Sequence, residues 1–403
     1  MSQQHPRHTL VLIVLALGAT LAPVSMDMLT PSLAGIATDL QANPRTIELF
    51  LYSFLIGYGV APLLWGILSD GRGRRPVMFW GMFLYCATSF ACALVEEPRV
   101  FTGLRFIQGL GAGAGATMAR AVVRDLYGSA GTTRAMARMM SLMAVVPFFM
   151  PLLGGSIAQV FGWKACFLIM SAVGAISVSA YLFLVPESRP VSVEPLSLQQ
   201  LSIRNILFDP VFAQHAICNM FSISTLVIFG ANFAFVTANR FDLESSDNGL
   251  VLALFNGSIA LGMQAVRHLM QRCSAHGSIL IGAASCSAGW LSIAVIALSQ
   301  GADLSLLAPG LILAGAGSGV IMALCAGAAL TPFTSNTGTA SAIYLLLQSV
   351  GSSAISLGLG LCVPKKLLPM AIAMGTLGGL AMLSKVLLSR CGTGKNKQLK
   401  PAG

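Results

Sequence analysis

Charged side chains are scarce in this 403-residue chain: Asp, Glu, Lys and Arg make up 9% of it, against about 25% in a soluble globular protein. So little charge excludes a soluble, cytosolic enzyme. Hydrophobic residues make up 55% of the sequence. Apolar stretches of about 20 residues, the length that a helix needs to cross a bilayer, recur along the chain, as at 10–25, 47–68 and 77–95. The sequence therefore predicts an all-α polytopic membrane protein.

Several chemical signatures are also missing. There is no Gly-x-x-x-x-Gly-Lys-Ser/Thr motif, which argues against a self-contained ATP pump. The nine cysteines are scattered, lie mostly in apolar stretches and lack metal-ligand spacing, so we expect no disulfide framework, metal or cofactor. The glycines of 111–115 lie inside an apolar helix with no strand before it, so they are not a dinucleotide motif. No catalytic cluster of His, Ser, Cys or acids can be assembled, and we do not expect an enzyme.

Twelve apolar runs separated by polar breaks predict twelve membrane-spanning helices. Their predicted bounds are 9–29, 47–69, 76–95, 99–122, 136–158, 165–185, 211–236, 248–266, 277–299, 304–329, 338–362 and 367–388. If the loops alternate from a cytoplasmic start, seventeen of the 24 Lys and Arg residues fall on the cytoplasmic side and six outside. The net charge of +10 then reflects membrane topology with both termini in the cytoplasm, and no nucleic-acid partner is expected. The first run lacks a fitting cleavage site, so we interpret it as a retained helix rather than a secretory signal.

The longest polar break, 187–210, follows six predicted helices and precedes six more. We therefore predict an N-terminal six-helix half at 1–186, a cytoplasmic linker at 187–210, and a C-terminal half at 211–403 that ends in a short basic tail. Two halves that rock around a site at the membrane midplane are typical of transporters. A plain membrane scaffold is the alternative.

The most charged stretch, GILSDGRGRR at 66–75, lies between the second and third predicted helices. Its glycines allow a tight reversal of the backbone, and its arginines anchor the loop at the inner face. Asp70 lies at the end of a helix, where a carboxylate is unfavourable unless a partner compensates it. We predict that Asp70 meets a neighbouring helix start or an arginine in one conformation only, so that breaking this contact lets the halves move.

This stretch resembles the signature loop of the major facilitator superfamily, Gly-x-Leu-Ser/Ala-Asp-Arg-x-Gly-Arg-Arg/Lys. The matching residues are Gly66, Leu68, Asp70, Gly73, Arg74 and Arg75. Gly71 stands where the family usually has an arginine, and Arg72 follows one place later. The resemblance implies a major facilitator fold of twelve transmembrane helices in two six-helix halves.

Three further stretches resemble the bicyclomycin and chloramphenicol resistance (Bcr/CflA) branch of drug:proton antiporters. SMDMLTPSL at 25–33 is similar to its first-helix end, LRFIQGLGAGAGA at 104–116 to the fourth-helix motif Arg-x-x-Gln-Gly, and VPFFMPLLGG at 146–155 to the fifth-helix motif. The family resemblance implies that the matching Arg105 faces the central cavity and is coupled to proton movement. Conformational gating is assigned to Gly66, Asp70, Gly73, Arg74, Arg75, Pro147, Pro151 and Gly154, with the two prolines expected to kink the fifth helix.

Asp27 is predicted to carry the proton. An acid within a membrane helix is a functional candidate, and an apolar setting favours its neutral form. The alternative is a solvated acid at a helix end. Arg105 is the one Lys or Arg that the predicted topology assigns to neither side of the membrane, because it lies within a predicted helix. We expect it to form a polar cluster with Gln108 that faces Asp27; a charge that only ties helices together is the alternative. For Glu48, a solvated acid at a helix start is favoured over a second proton site.

The C-terminal half has no acid inside its predicted helices and carries amides instead. Amides orient substrates or bridge helices, and both interpretations stay open. The candidate substrate cavity is lined by Tyr52, Tyr58, Gln108, Asn232, Asn256 and Gln348. His215 is interpreted as an interfacial histidine rather than a switch.

Together these features predict a monomeric, proton-coupled exporter of small lipophilic drugs in the bacterial inner membrane. It works by antiport and alternating access, with the proton gradient as its energy source. Its partners are the substrate, protons and the lipid bilayer. The alternative is a proton-coupled transporter of a metabolite, sugar or siderophore on the same fold.

Overall fold

A computed structural model describes residues 6–188, 203–241, 243–299, 303–333, 337–362 and 366–396. Within those ranges the regular structure is entirely helical, which confirms the all-α prediction. The helices are α1 Pro6–Ala19, α2 Leu21–Asp27, α3 Leu33–Asp39, α4 Pro44–Arg72, α5 Arg74–Leu94, α6 Pro98–Met143, α7 Val146–Phe161, α8 Trp163–Leu184, α9 Ile203–Leu207, α10 Pro210–Phe241, α11 Ser245–Arg272, α12 Ala275–Ala297, α13 Ala308–Leu330, α14 Thr337–Leu346, α15 Ser352–Cys362 and α16 Leu367–Asn396.

Most of these helices are long and apolar enough to cross a membrane. Ten stretches meet that description in the described part of the chain, and the bent pair Thr9–Ala19 and Leu21–Asp39 adds an eleventh. The predicted span at 99–122 is also helical and forms the first part of α6. Its hydropathy is lower because Arg105, Gln108 and a series of glycines interrupt the apolar residues. The chain is a multi-pass helical membrane protein.

The first span is broken, whereas the sequence predicted one helix over 9–29. α1 ends at Ala19, α2 begins at Leu21, and the two segments bend by 42°. The cause is Pro23, which has no N–H for the helix ladder and whose ring clashes with the carbonyl four residues earlier, that of Ala19. Asp27 consequently lies at the end of a short helix, ahead of the 3₁₀ turn Thr30–Ser32.

The fourth and fifth predicted helices meet at a kink rather than at a loop, because α6 contains the fourth helix and the start of the fifth. α6 continues to Met143, and its one non-helical residue is Gly128, which has a left-handed φ of 58° that glycine tolerates. Ala144 and Val145, between α6 and α7, keep helical φ and ψ, so Arg134–Phe161 forms one span that contains both Pro147 and Pro151. Pro151 is the proline inside the helix. Pro147 follows the interruption between α6 and α7, so the expectation that both prolines bend this span stays a prediction.

The chain divides into two compact units. Unit 1 comprises Met1–Gln200 and Asp242–Ala253, and unit 2 comprises Leu201–Phe241 and Leu254–Gly403. In unit 1, α6 packs against α1, α4 and α5, and α8 packs against α5. In unit 2, α13 packs against α10 and α12, and α16 packs against the same two helices. Each unit is thus organised around one glycine-rich helix.

Glycines let α6 and α13 approach their neighbours closely. A Cβ atom on Gly109 would overlap the carbonyl oxygen of Phe54 on α4, and one on Gly111 would meet the backbone of α5. In unit 2, Gly319 of α13 lies close to the backbone of α11, and Gly317 of α13 lies close to the backbone of α12. As in unit 1, glycines two positions apart on one helix contact two different neighbouring helices. Small residues at such contacts allow helix backbones to pack at short range. α6 and α13 therefore have equivalent positions within their units.

Candidate functional site

Arg105 lies on α6 and is fully buried. Its Nε donates to the carbonyl oxygen of Phe50 at 3.2 Å, and its Nη1 donates to Oε1 of Gln108 at 2.6 Å. The guanidinium also lies over the ring of Phe54, 4.4 Å from the centroid. A buried cation is costly unless it is hydrogen-bonded or stacked on an aromatic face, and both kinds of contact are made here. Each of these partners is a neutral group.

A chain of hydrogen bonds leads from Gln108 to the first span. Gln108 Nε2 donates to Ser89 Oγ at 2.7 Å, and Ser89 Oγ donates to the carbonyl oxygen of Tyr85 at 2.6 Å. The Tyr85 hydroxyl shares a 2.7 Å hydrogen bond with Ser25 Oγ. All four side chains are buried, and Ser25 precedes Asp27 by two residues. The network therefore links α6 and α5 to the helix that carries the predicted proton site.

Asp27 is half-buried at the end of α2. The residue before it, Met26, places its Sδ 3.9 Å from Nη2 of Arg105. The residue after it, Met28, presents its carbonyl oxygen to α7, where a Cβ on Gly154 would overlap that oxygen. The structure thus brings the Asp27 segment together with Arg105 on one side and Gly154 on the other.

Glu48 differs from its sequence-based interpretation. It lies in the first two turns of α4 but is only 1% exposed, so the expectation of a solvated helix-start acid is wrong. Tyr52, one turn later and also buried, places its hydroxyl 3.4 Å from Glu48 Oε2, where it donates a long hydrogen bond. Glu48 is therefore, besides the half-buried Asp27, another acid of unit 1 that is withdrawn from solvent.

The other predicted cavity residues lie on separate elements. Tyr58 is half-buried on α4, beside Gly113 of α6. In unit 2, Asn232 is buried on α10 and donates to the carbonyl oxygen of Ile228 in its own helix. Asn256 is half-buried on α11, and Gln348 is half-buried in the π-helical segment Leu347–Gly351 that joins α14 to α15. Such π turns are rare and recur at functional sites.

The predicted gating loop surrounds Arg74, the first residue of α5. Its Nη1 lies 2.8 Å from Asp70 Oδ1 and its Nε lies 3.1 Å from Asp125 Oδ2 on α6. Gly73, between the two helices, has a left-handed φ of 98°. Asp125 was not selected from the sequence, because it lies 51 residues from Arg74. One buried cation thus holds α4, α5 and α6 together.

Glu187 completes this arrangement at the start of α5. Its two carboxylate oxygens accept hydrogen bonds from the backbone N–H groups of Arg74 and Arg75, both at 2.9 Å. A carboxylate is favourable there because helix N-termini carry partial positive charge. A Cβ on Gly73 would come within 2.8 Å of Glu187 Oε2, so the glycine makes room for the carboxylate. Glu187 is the first residue of the predicted linker at 187–210, of which 189–202 lies outside the described residues.

Three residues of the buried network, Ser25, Tyr85 and Ser89, were missed from the sequence. Serines and tyrosines are common in membrane helices, and a serine hydroxyl usually bonds to its own helix. Ser25 and Ser89 both make such local bonds as well. Their longer-range partners follow only from the packing of α2, α5 and α6.

Comparisons with known proteins agree with this architecture. The chain is 32% identical over 231 residues to a bicyclomycin resistance protein homolog of Haemophilus influenzae, covering 56% of this chain and 57% of that relative. It is 28% identical over 378 residues to multidrug resistance protein MdtL of Salmonella typhimurium, covering 91% of each.

Solved structures share the fold at low identity. A D-xylose-proton symporter superposes with a TM-score of 0.77 at 14% identity, covering 94% of this chain and 97% of that one. The human organic anion transporter MFSD10 does so with a TM-score of 0.67 at 18% identity, covering 95% and 100%. A family model described as Major Facilitator Superfamily matches residues 15–356. The chain therefore belongs to the major facilitator superfamily, as its signature loop indicated.

Proposed function

We propose that this transporter exports small lipophilic drugs across the bacterial inner membrane in exchange for protons. The names of its bacterial relatives, a bicyclomycin resistance protein homolog and a multidrug resistance protein, support drugs as the cargo. The match to the second relative extends over 91% of both chains. The low charge content also suits an apolar cargo, because a cavity for charged metabolites needs more charged residues than this chain has.

The observation that carries the proposal is the buried Arg105 beside the Asp27 segment. The partners described above for Arg105 are neutral, and a positive charge favours the ionised form of a nearby carboxylate. Burial favours the neutral form instead. The charge of Arg105 and the burial of Asp27 therefore act on its protonation in opposite directions. A change in its surroundings during transport then makes Asp27 take up or release a proton. A proton that enters from outside then leaves Asp27 when substrate binds from the cytoplasm.

The remaining roles are part of the same proposal. The substrate contacts Tyr52, Tyr58, Gln108, Asn232, Asn256 and Gln348. Alternating access is gated by Gly66, Asp70, Gly73, Arg74, Arg75, Pro147, Pro151 and Gly154. The chain acts as a monomer, with halves at 1–186 and 211–403, a cytoplasmic linker at 187–210 and both termini in the cytoplasm. The proton gradient is its energy source.

Proton release from the purified protein tests this function. Chloramphenicol is added to detergent-solubilised protein in a weakly buffered solution, and the pH change is recorded. We expect release from the wild type and none from Asp27→Asn. The matched control is Asp39→Asn, because Asp39 accepts a 2.8 Å hydrogen bond from Trp163 Nε1 and has no assigned role in proton transfer.

The other outcomes separate the alternatives. Release retained in Asp27→Asn would move the proton site, and Glu48→Gln would then be tested first because Glu48 is buried. No release from the wild type with drugs, but release with a sugar, metabolite or siderophore, would overturn drugs as the cargo. The likeness to a D-xylose-proton symporter shows a shared fold and does not favour a sugar.

A further inference from the structure

Two basic side chains meet inside unit 2. Lys385 Nζ on α16 lies 2.6 Å from His215 Nε2 on α10. His215 is 6% exposed and Lys385 is 3% exposed. Both side chains are withdrawn from solvent, including Lys385, which the predicted topology counted among the cytoplasmic bases. Two bases in contact share a proton rather than each carrying one.

The hydrogen-bond geometry fixes which atom carries the proton. His215 Nδ1 lies 2.7 Å from the carbonyl oxygen of Val211. A carbonyl oxygen only accepts, so Nδ1 carries the hydrogen and donates it. In the neutral ring, Nε2 then has a free lone pair, and Lys385 donates to it. The contact requires that Nε2 be unprotonated.

Acids are almost absent from this part of the chain. Asp303 is the only Asp or Glu in 248–403, and Asp209 is the only one in 203–241. Asp209 Oδ1 accepts from the backbone N–H of Phe212 at the start of α10. The titratable groups that act on the pair from the packed elements are His276 on α12, Cys218 on α10 and Cys325 on α13, with Tyr344 on α14 beside the two thiols. None of these supplies a carboxylate.

We propose that His215 and Lys385 form a proton-binding site in unit 2, separate from Asp27, in which a proton binding at His215 Nε2 breaks the hydrogen bond that Lys385 of α16 donates to His215 of α10. The proton comes from water and takes the lone pair that accepts from Lys385. Two donors and two positive charges then face each other at 2.6 Å, which is strongly unfavourable in a buried setting. The pair thus couples proton uptake to the loss of a direct hydrogen bond between two packed helices. This inference does not depend on the identity of the cargo or on export.

Nitrogen NMR of the full-length, histidine-labelled protein in detergent tests the proposal without any substrate. The chain has five histidines, and the His215 signals are identified by their loss in His215→Gln. At high pH we expect the tautomer with hydrogen on Nδ1. In Lys385→Gln, an amide still donates to Nε2 but carries no charge, so His215 should take up its second proton about one pH unit higher than in the wild type, an approximately tenfold gain in proton affinity.

The matched control is Lys366→Gln, which removes an exposed lysine just before α16 and should leave the His215 titration unchanged. An Nε2–H tautomer in the wild type, or the same titration midpoint with and without Lys385, would overturn the proposal. The tautomer is read on the wild type, so the test survives if Lys385→Gln fails to fold. If this proposal fails, the expectation that proton release depends on Asp27 is unaffected. If Asp27-dependent release is not observed, this proposal is likewise unaffected.

Discussion

Arg105 and Gln108, three residues apart on α6, share a 2.6 Å hydrogen bond between guanidinium Nη1 and amide Oε1. The amide faces two ways, because its Nε2 donates to Ser89 on α5. A glutamine can receive from a cation and donate to a hydroxyl at once, whereas an ionised carboxylate can only accept. The residue type at 108 therefore positions the guanidinium without neutralising it.

Arg105→Lys should abolish most transport. A lysine ammonium lacks the planar fork, so it cannot keep the bonds to Phe50 and Gln108 and also cover the ring of Phe54. We expect drug efflux in everted vesicles to fall by about tenfold or more, while leaving Gln108 Oε1 unpaired costs about 1–3 kcal/mol of stability. Arg99→Lys, at the exposed start of α6, is the control and should keep full activity. Equal efflux by both variants would contradict a specific role for the guanidinium.

Gly109→Ala should destabilise unit 1. The added methyl group would overlap the carbonyl oxygen of Phe54, so α4 and α6 must move apart, at a cost of about 1–3 kcal/mol. Gly103→Ala on the same helix is the control, because nothing lies within 4 Å of its added Cβ. That variant should gain about 0.5–1 kcal/mol from helix propensity. Thermal unfolding of detergent-solubilised protein measures both, and equal midpoints would refute the close packing of α4 and α6.

Arg74→Gln should weaken the junction of α4, α5 and α6. It removes the cation that Asp70 and Asp125 share and leaves Asp125 only its 4.0 Å contact with Arg124, and breaking a buried ion pair costs about 3–5 kcal/mol. Arg72→Gln removes an exposed arginine two residues away and should change stability by less than about 1 kcal/mol. The midpoint of thermal unfolding measures this effect. If Arg74→Gln unfolded at the same temperature as the wild type, the cluster around Arg74 would not stabilise the fold.

Proton release on drug binding should decrease as pH rises. Only the protonated form of Asp27 has a proton to release, and the fraction in that form falls as pH rises through its titration. The number of protons released per drug molecule, measured in weakly buffered solution at several pH values, should therefore approach zero on the alkaline side. Asp27→Asn should show no such dependence. Constant release across the titrated range would exclude Asp27 as the source.

The sequence predicts local features well because their causes are local. Apolar runs locate the helices, and Asp70 and Arg74 are close enough in sequence for their contact to be anticipated. Pro23 is a local sequence signal for the helix break after Ala19. The continuous apolar composition over 9–29 nevertheless favours one unbroken helix.

Contacts between distant parts of the chain carry no such signal. Ser25 and Tyr85 are 60 residues apart, and His215 and Lys385 are 170 apart. The burial of Glu48 likewise depends on what packs around α4 and not on its place near a helix start. Charge near the end of an apolar run is ambiguous in sequence, because the same pattern fits a solvated terminus and a buried polar contact.

The π-helical segment Leu347–Gly351 interrupts the α-helical register of one span of unit 2. A π turn contains nearly one residue more than an α turn, so a change of this segment to regular α geometry would rotate every later residue of the span by up to about 100° relative to the earlier ones. Gln348 lies within the segment, so it would be repositioned without any movement of α14 as a body. Such a change would turn a different face of the span toward its neighbours and would be confined to five residues.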